Sequence, residues 1–417
     1  MKKVPLPFTD KGVFFIAISQ FGASFSYNFI MVFMPFYILK ISALGPKETM
    51  IWTGLIIGAP SAMNALTAPL WGRLTSRYRP KLLFELGILW NGILFLVFGF
   101  VQNLYLLFLL RVLLGVMGGV STVGLILMSA VTPEERLHKD ISLYQITMTI
   151  GQLIAPPIGA YMITLVGYRF SFIIGSFIFF LFFILCHHNV KDIPCQKTVR
   201  DSAQKLKKGI IWGWVLGLIG TVHITYLPGI LPHILENFQL KEERALSYAG
   251  IIMTAYTITA ILGNFMINNF IPRTKLRRVI LYIGLSAAFL QAIMYFGKGV
   301  VSFTLIRMLQ TGVIAAVFPM ILSVFATGVG GGTLGFLNSA RFAGNAIGPL
   351  MATSVVAYSN LLTLYLLISS LTLIPLTGFL RATRISPSRM SPSRIGPSGE
   401  QEECFPVAKD PGLRGKN

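Results

Sequence analysis

Two halves of this chain repeat each other, and the residues that repeat are polar groups set inside apolar segments. Arg77 in "LTSRYRPK" recurs as Arg273 in "FIPRTKLRR". Arg111 in "LLRVLLGVMGG" recurs as Arg307 in "LIRMLQTGVIAA", at the same spacing. "GQLIAPPIGA" (Gly151 to Ala160) recurs as "GNAIGPLMAT" (Gly344 to Thr353) at nearly that spacing. Duplication can repeat any fold, but here 54% of the residues are hydrophobic. An arginine isolated in hydrocarbon is costly unless it faces a protein interior or a water-filled cavity. The repeat therefore points to two packed halves around a polar interior, the architecture of secondary transporters.

Length alone would suggest two or three soluble domains, but only 12% of the residues are charged and the mean hydropathy is +0.70. A spanning helix needs about 20 mostly apolar residues. Twelve such stretches can be marked: 13–39, 51–71, 82–101, 104–129, 143–164, 169–187, 209–233, 247–271, 279–297, 299–325, 333–357 and 361–380. The expected fold is all-α and integral to the membrane, with 12 transmembrane helices in two pseudo-symmetric six-helix bundles. The first stretch carries Gln20 and Asn28 and lacks a small-residue cleavage site, so it reads as a span and not a signal peptide. Lys40, Lys47, Arg169, Lys241, Arg244 and Lys298 fall on one side of the spans, while most other basic residues fall on the opposite side. Basic residues favour the cytoplasmic side, so both termini are expected there, in the cell (inner) membrane. The net charge of +20 then reflects topology. It is spread over short loops and not gathered on one module, so no nucleic-acid partner is expected.

Residues 1–187 are expected to form the N-terminal bundle, 188–208 a cytoplasmic linker too polar to span, and 209–380 the C-terminal bundle. Residues 381–417, rich in Ser, Pro and Arg, cannot bury enough apolar surface to fold and read as a disordered basic cytoplasmic tail. Cys186, Cys195 and Cys404 fall on the reducing side without zinc-like spacing. No metal or cofactor is expected. "GVGGG" (328–332) lacks the lysine of a phosphate loop and reads as a tight turn.

Three local motifs resemble the major facilitator superfamily, and within it the drug:proton antiporter branch, over about residues 10–380. "GRLTSRYRPK" (72–81) is similar to the family's signature between spans two and three, with Gly72, Leu74, Arg77 and Lys81 in place. Ser76 stands where that signature has an acid, Arg79 replaces its second glycine and Pro80 an arginine. "RVLLGVMGG" resembles the fourth-helix signature through Arg111 and Gly115. "GQLIAPPIGA" resembles the fifth-helix antiporter signature through Gly151, Pro156 and Gly159. The resemblance implies proton-linked export. The loop cations read equally as positive-inside topology and as a cytoplasmic gate in which they meet acids or helix C-termini of the opposite half. Ser76 cannot supply the signature's charge, so the gate implied here is weaker or built differently. Gly and Ala at spacing four (Gly151, Ala155, Gly159) allow close helix approach in membranes, and Pro156 removes a helical hydrogen bond. Gly151, Pro156 and Gly159, echoed by Gly344, Gly348 and Pro349, thus read as a packing hinge.

Helical spacing aligns Gln20, Ser24, Asn28 and Met31 on span one, Gln145 and Gln152 on span five, His223 and Tyr226 on span seven, and Asn338, Arg341 and Asn345 on span eleven. Together they are expected to line a substrate cavity, although each alone reads equally as an interhelical hydrogen bond. The 32 Phe and 16 Met would give that cavity adaptable apolar walls. Of the acids only Glu85 falls inside a span, in the first turn of span three. His223 is the mid-span group whose ordinary pKa lies near neutrality. Proton coupling is expected at His223 or Glu85. The expected partners are a small-molecule substrate, membrane lipids and, by resemblance, protons, with the chain acting as a monomer. Left open are a carrier of an anionic metabolite or siderophore, drawing on Arg111, Arg307 and Arg341, and a receptor on the same scaffold. A membrane enzyme would need a cluster of catalytic groups near one face, and none is present, so no enzymatic activity is expected.

Overall fold

The computed structural model describes residues 11–133, 136–192, 208–270, 275–325 and 331–383, and every described element is helical. Span one is α1 (Lys11–Met31) and α2 (Met34–Ile41); span two is α3 (Pro46–Leu74); span three is α4 (Pro80–Phe98). Span four is α5 (Leu104–Val116) with α6 (Val120–Val131). Spans five and six run together as α7 (Leu137–Asn189), turned at Gly167, whose φ of 74° is a left-handed conformation open to glycine. Span seven is α8 (Lys208–Thr225) and α9 (Leu227–Asn237), span eight α10 (Glu242–Phe270), and span nine α11 (Leu276–Ile293). Span ten is α12 (Val300–Ile314) and α13 (Val317–Phe325), span eleven α14 (Gly331–Tyr358), and span twelve α15 (Leu361–Ala382). Arg273, residues 193–207 of the linker, Gly328, the tail beyond 383, Cys195 and Cys404 lie outside the described residues.

Among the described residues nine helices are long and apolar enough to cross a membrane, and one of these, Asp140–Asn189, crosses twice. The remaining two spans, α3 and α14, are more polar: α3 carries Asn64 and Arg73, α14 carries Asn338, Arg341 and Asn345. That polarity has a structural reason, because α3 and α14 pack against each other between the halves.

Spans one, four, seven and ten are broken in mid-course. Pro35, Pro228 and Pro319 lie just past three of these breaks, where a missing N–H weakens the helical ladder. Gly118 and Gly119 sit at the fourth. A break in every third span marks a three-helix unit used four times.

Within the halves α1 packs on α7 and α8 on α14; between them α3 meets α14 and α7 meets α10. The seam between halves is tight at one end. A Cβ at Gly54 would lie 2.8 Å from Leu350 Cα, and one at Gly250 2.7 Å from Ala160 Cβ. Further along, the halves part: on α3 no described residue from Ser61 to Leu74 is buried, and on α10 none beyond Tyr256. The cleft therefore opens at the end carrying Lys11, Thr75 to Arg79, Lys191 and Ala382.

Candidate substrate pathway

On α14, one turn per 3.6 residues divides the surface into four faces. Gly344 and Gly348 meet α8, where Cβ atoms would lie 2.7 Å from the Leu218 carbonyl and 2.5 Å from Thr225 Oγ1. Pro349, Leu350 and Thr353 meet α3. Phe336, Ile347 and Tyr358 are exposed on one of the two faces between. Asn338, Arg341 and Asn345 occupy the other, Asn338 and Arg341 exposed and Asn345 half-buried. An exposed apolar face suits lipid, so the polar one looks into the cleft.

The same division holds on α7. Gly151 packs on α1, where a Cβ would lie 2.8 Å from the Phe21 carbonyl, while Pro157 and Ala160 meet Gly250 of α10. Ile146, Ile150 and Tyr161 are exposed on the far side. Gln145 and Gln152 fall between the α1 and α10 faces, exposed and half-buried. Two polar stripes, one from each half, thus border the open end of one cleft.

Other expected lining residues lie elsewhere. Gln20 and Ser24 are buried inside the N-terminal half: Gln20 Oε1 accepts from Tyr144 Oη at 2.8 Å, and Ser24 Oγ donates to the Met148 carbonyl at 2.8 Å. They join α1 to α7 and do not face the cleft. Asn28 is half-buried and donates to the Ser24 carbonyl at 2.8 Å. His223 and Tyr226 are fully buried inside the C-terminal half. His223 Nε2 is 2.7 Å from Thr372 Oγ1 and its Nδ1 is 2.6 Å from Gln310 Nε2, which seals the ring from the cleft in this conformation.

The two repeated arginines are fully buried as well. Arg111 Nε donates to the Ile56 carbonyl at 3.0 Å. Pro60 stands four residues on, without the N–H that would otherwise reach that oxygen. Arg307 donates to the Ile224 carbonyl at 2.8 Å, and Pro228 stands four residues beyond Ile224. Arg307 also donates to the His223 carbonyl and to Gln310 Oε1, both at 2.7 Å, and lies over the rings of Tyr226 and Tyr256. Each arginine therefore supplies the hydrogen bond that a proline withdrew. Gly115 lets α5 come close enough, since a Cβ there would lie 2.7 Å from Pro60 Cα.

The loop signature also works within one half. Lys81 donates to the His187 carbonyl at 3.0 Å, tying α4 to the end of span six. Arg277, at the repeat spacing, donates to the Leu380 carbonyl at 2.9 Å, tying α11 to the end of span twelve. Cations suit helix C-termini, but these ends belong to the same half and not the opposite one. Arg79 pairs with Asp192; Arg77 and Gly72 lie beside the open mouth, with Leu74 half-buried. The expected hinge divides similarly: its glycines bind α7 to α1 and α14 to α8 inside each half, and its prolines face the seam. Pro156 O lies 3.2 Å from a Cβ at Gly250, and Pro349 O 3.0 Å from one at Gly54.

Several residues here escape a sequence reading. Asp140 is a second acid at a span's inner end, fully buried 3.6 Å from Arg136. Gln310, Thr372 and the two prolines act through partners distant in sequence. Only Gln310 left a local signal, three residues after Arg307. Among the described residues no group of His, Cys, Asp and Glu could hold a metal ion.

Two six-helix halves, joined at one end and parted at the other around facing polar stripes, define the class of secondary transporters with an integral membrane fold. The chain belongs to the Major Facilitator Superfamily, whose model matches residues 16–349. It is 26% identical over 349 residues to the multidrug resistance protein MdtG of Proteus mirabilis, covering 81% of this chain and 86% of that protein. Its fold matches the crystal structure of the nucleoside transporter NupG with a TM-score of 0.71 at 14% identity, covering 90% and 99% of the two chains. The human organic anion transporter MFSD10 matches with a TM-score of 0.66 at 14% identity, covering 88% and 99%.

Proposed function

We propose that this transporter is a proton-linked exporter of small amphipathic compounds that works by alternating access. The observation that carries the reading is the pairing of Gln145 and Gln152 with Asn338, Arg341 and Asn345 across a cleft open at one end. Such a surface suits molecules with a polar head and an apolar body. The similarity to a multidrug resistance protein supports export. In this reading the chain is a monomer of the cell (inner) membrane with both termini and the 188–208 linker cytoplasmic, so the cleft faces inward. Proton coupling rests on Glu85 at the inner mouth, held 3.5 Å from Lys81 and 3.3 Å from His187, or on His223. Because His223 is enclosed here, its protonation would require the opposite state.

Proteoliposomes under an imposed pH gradient test the proposal, with an amphipathic dye as cargo. Dye movement driven by the gradient is expected, and its absence in an active preparation would overturn proton-linked export. Loss of pH drive in His223→Ala, with downhill exchange retained, would place coupling there; loss in Glu85→Gln would place it at the mouth. Labelling of Lys191→Cys from outside would reverse the orientation. A second reading, a carrier of an anionic metabolite, is favoured by Arg341 and predicts uptake without dye export.

A further inference from the structure

We propose that Arg341 is the specificity-determining residue of this pathway, and that the substrate it selects is an amphipathic anion with a carboxylate, sulfonate or phosphonate head. The inference rests on reading the cleft as the substrate route and adds the charge of what passes.

Three arginines lie in mid-span among the described residues. Arg111 and Arg307 are spent on backbone carbonyls and are fully buried. Arg341 is different. It stands ten residues into α14, about 15 Å from that helix's open end, and it is exposed on the cleft face. Its contact is the ring of Phe318, 5.6 Å from the guanidinium. No described carboxylate pairs with it. Of the acids near the inner ends of the spans, Glu85 is held by Lys81 and His187, and Asp140 lies beside Arg136.

An unpaired guanidinium offers a planar fork of donors, which matches the oxygens of a carboxylate, sulfonate or phosphonate two at a time. Asn338 and Asn345, about one turn to either side on the same face, add neutral donors. Phe318 supplies an aromatic surface beside the charge. The same arrangement opposes cations, since among the described residues no acid lies on these cleft faces to receive one and Arg341 repels it.

The charge also bears on the transport cycle. While the cleft is open, water solvates Arg341. When the halves close over it that water must leave, and an uncompensated charge in a dry interior is costly. An anion bound to Arg341 removes the cost. The substrate thereby licenses the closure that moves it, while the empty carrier resists closing.

The test uses the full chain in nanodiscs and two probes that share a ring and differ in charge, 2-naphthalenesulfonate and 2-naphthyltrimethylammonium. The wild type is expected to bind the sulfonate at least about tenfold more tightly. Arg341→Gln should erase that preference, and Arg341→Lys should keep part of it. Asn345→Asp offers Arg341 a carboxylate one turn away and should erase the preference with the arginine still present. Equal or tighter binding of the cation by the wild type would overturn the proposal. So would an unchanged preference in both Arg341→Gln and Asn345→Asp, or no binding of either probe. Binding in nanodiscs requires no transport, so Arg341-dependent binding without flux in proteoliposomes would overturn the exporter reading alone.

Discussion

Arg111 and Arg307 occupy the same place in the two halves, yet their surroundings differ. Arg307 gives three hydrogen bonds to the His223 and Ile224 carbonyls and Gln310, and sits between two tyrosine rings. Arg111 gives one to a carbonyl and one to Met31 Sδ at 3.2 Å; each arginine keeps one buried nitrogen without a hydrogen-bond partner, Nη1 of Arg111 and Nε of Arg307. Tyr27 stands at the repeat position of His223 and lies 5.8 Å from the Arg111 guanidinium. The prolines that free the carbonyls differ too: Pro60 lies on α3, Pro228 at the start of α9. What both halves retain is therefore the donor. Around it the C-terminal half has closed a polar core, and the N-terminal half has kept a softer contact with sulfur and an aromatic ring.

The widest gap between the halves should appear when each arginine is replaced by methionine. A hydrogen bond to a charged group contributes more than a neutral one, so Arg307→Met should cost about 3 kcal/mol and Arg111→Met about 1 kcal/mol. Thermal unfolding of the purified protein reads the difference. Adding the proline change sharpens it. Pro60→Ala returns an N–H to Ile56 and should recover most of the loss in Arg111→Met. Pro228→Ala should recover only part of the loss in Arg307→Met, since Gln310 Oε1 still lacks its donor. Equal recovery in both double variants would break the comparison.

A smaller contrast separates packing inside a half from packing between halves. Gly151→Leu drives a side chain into the α1 backbone and should cost about 2 kcal/mol, abolishing transport while the protein still inserts. Gly250→Leu meets the opposite half instead. It should leave thermal stability nearly unchanged and shift the population away from the conformation closed at this end. Cysteine accessibility at Trp52, on the closed side, reports that shift; equal destabilisation by both variants would show that the halves do not move as units.

His223→Ala should come next, removing two side-chain hydrogen bonds at about 1 kcal/mol, the scale of interhelical polar contacts in membranes. A loss as large as that of Arg307→Met would mean that the ring, and not the guanidinium, holds the network together.

The spans, the halves and their repeat are legible in the sequence because hydropathy and charge report each residue's medium directly. The Asn338, Arg341 and Asn345 stripe is legible for a related reason: a charge in mid-span without a local partner has few places to face. Gln20 and Ser24 share that spacing but not that outcome, because helical periodicity states which residues share a face and not which helix covers it. Tyr144 and the Met148 carbonyl, which cover this one, lie on a distant span. His223 is similar, its enclosure drawn from spans ten and twelve. Asp140 precedes the apolar stretch 143–164, and only folding shows it buried in the first turn of α7. The intra-half role of Lys81 and Arg277 escaped for the same reason, since a loop cation names no acceptor.

The smallest effect should come from an ionic feature that the described residues of the two halves do not share. Lys81 and Arg277 both cap the end of their half's last span, but among the described residues only the N-terminal cap has an acid beside it, Glu85, with His187 on its other side. Glu85 and Lys81 are largely buried and His187 exposed, and Lys81 and Glu85 form an i,i+4 pair on α4, a kind of contact that contributes only a few tenths of a kcal/mol. Glu85→Gln keeps the Lys81 cap and removes only the charge. Stability should fall by about 0.5 kcal/mol and downhill flux should change by roughly twofold or less. If Glu85 carries the transported proton, the same variant should lose pH-driven flux entirely while downhill flux persists. The ratio of the two fluxes in one preparation therefore decides between a cap and a relay. An unchanged ratio would leave the N-terminal latch as a structural counterpart of the Arg277 cap, with an acid that transport does not use.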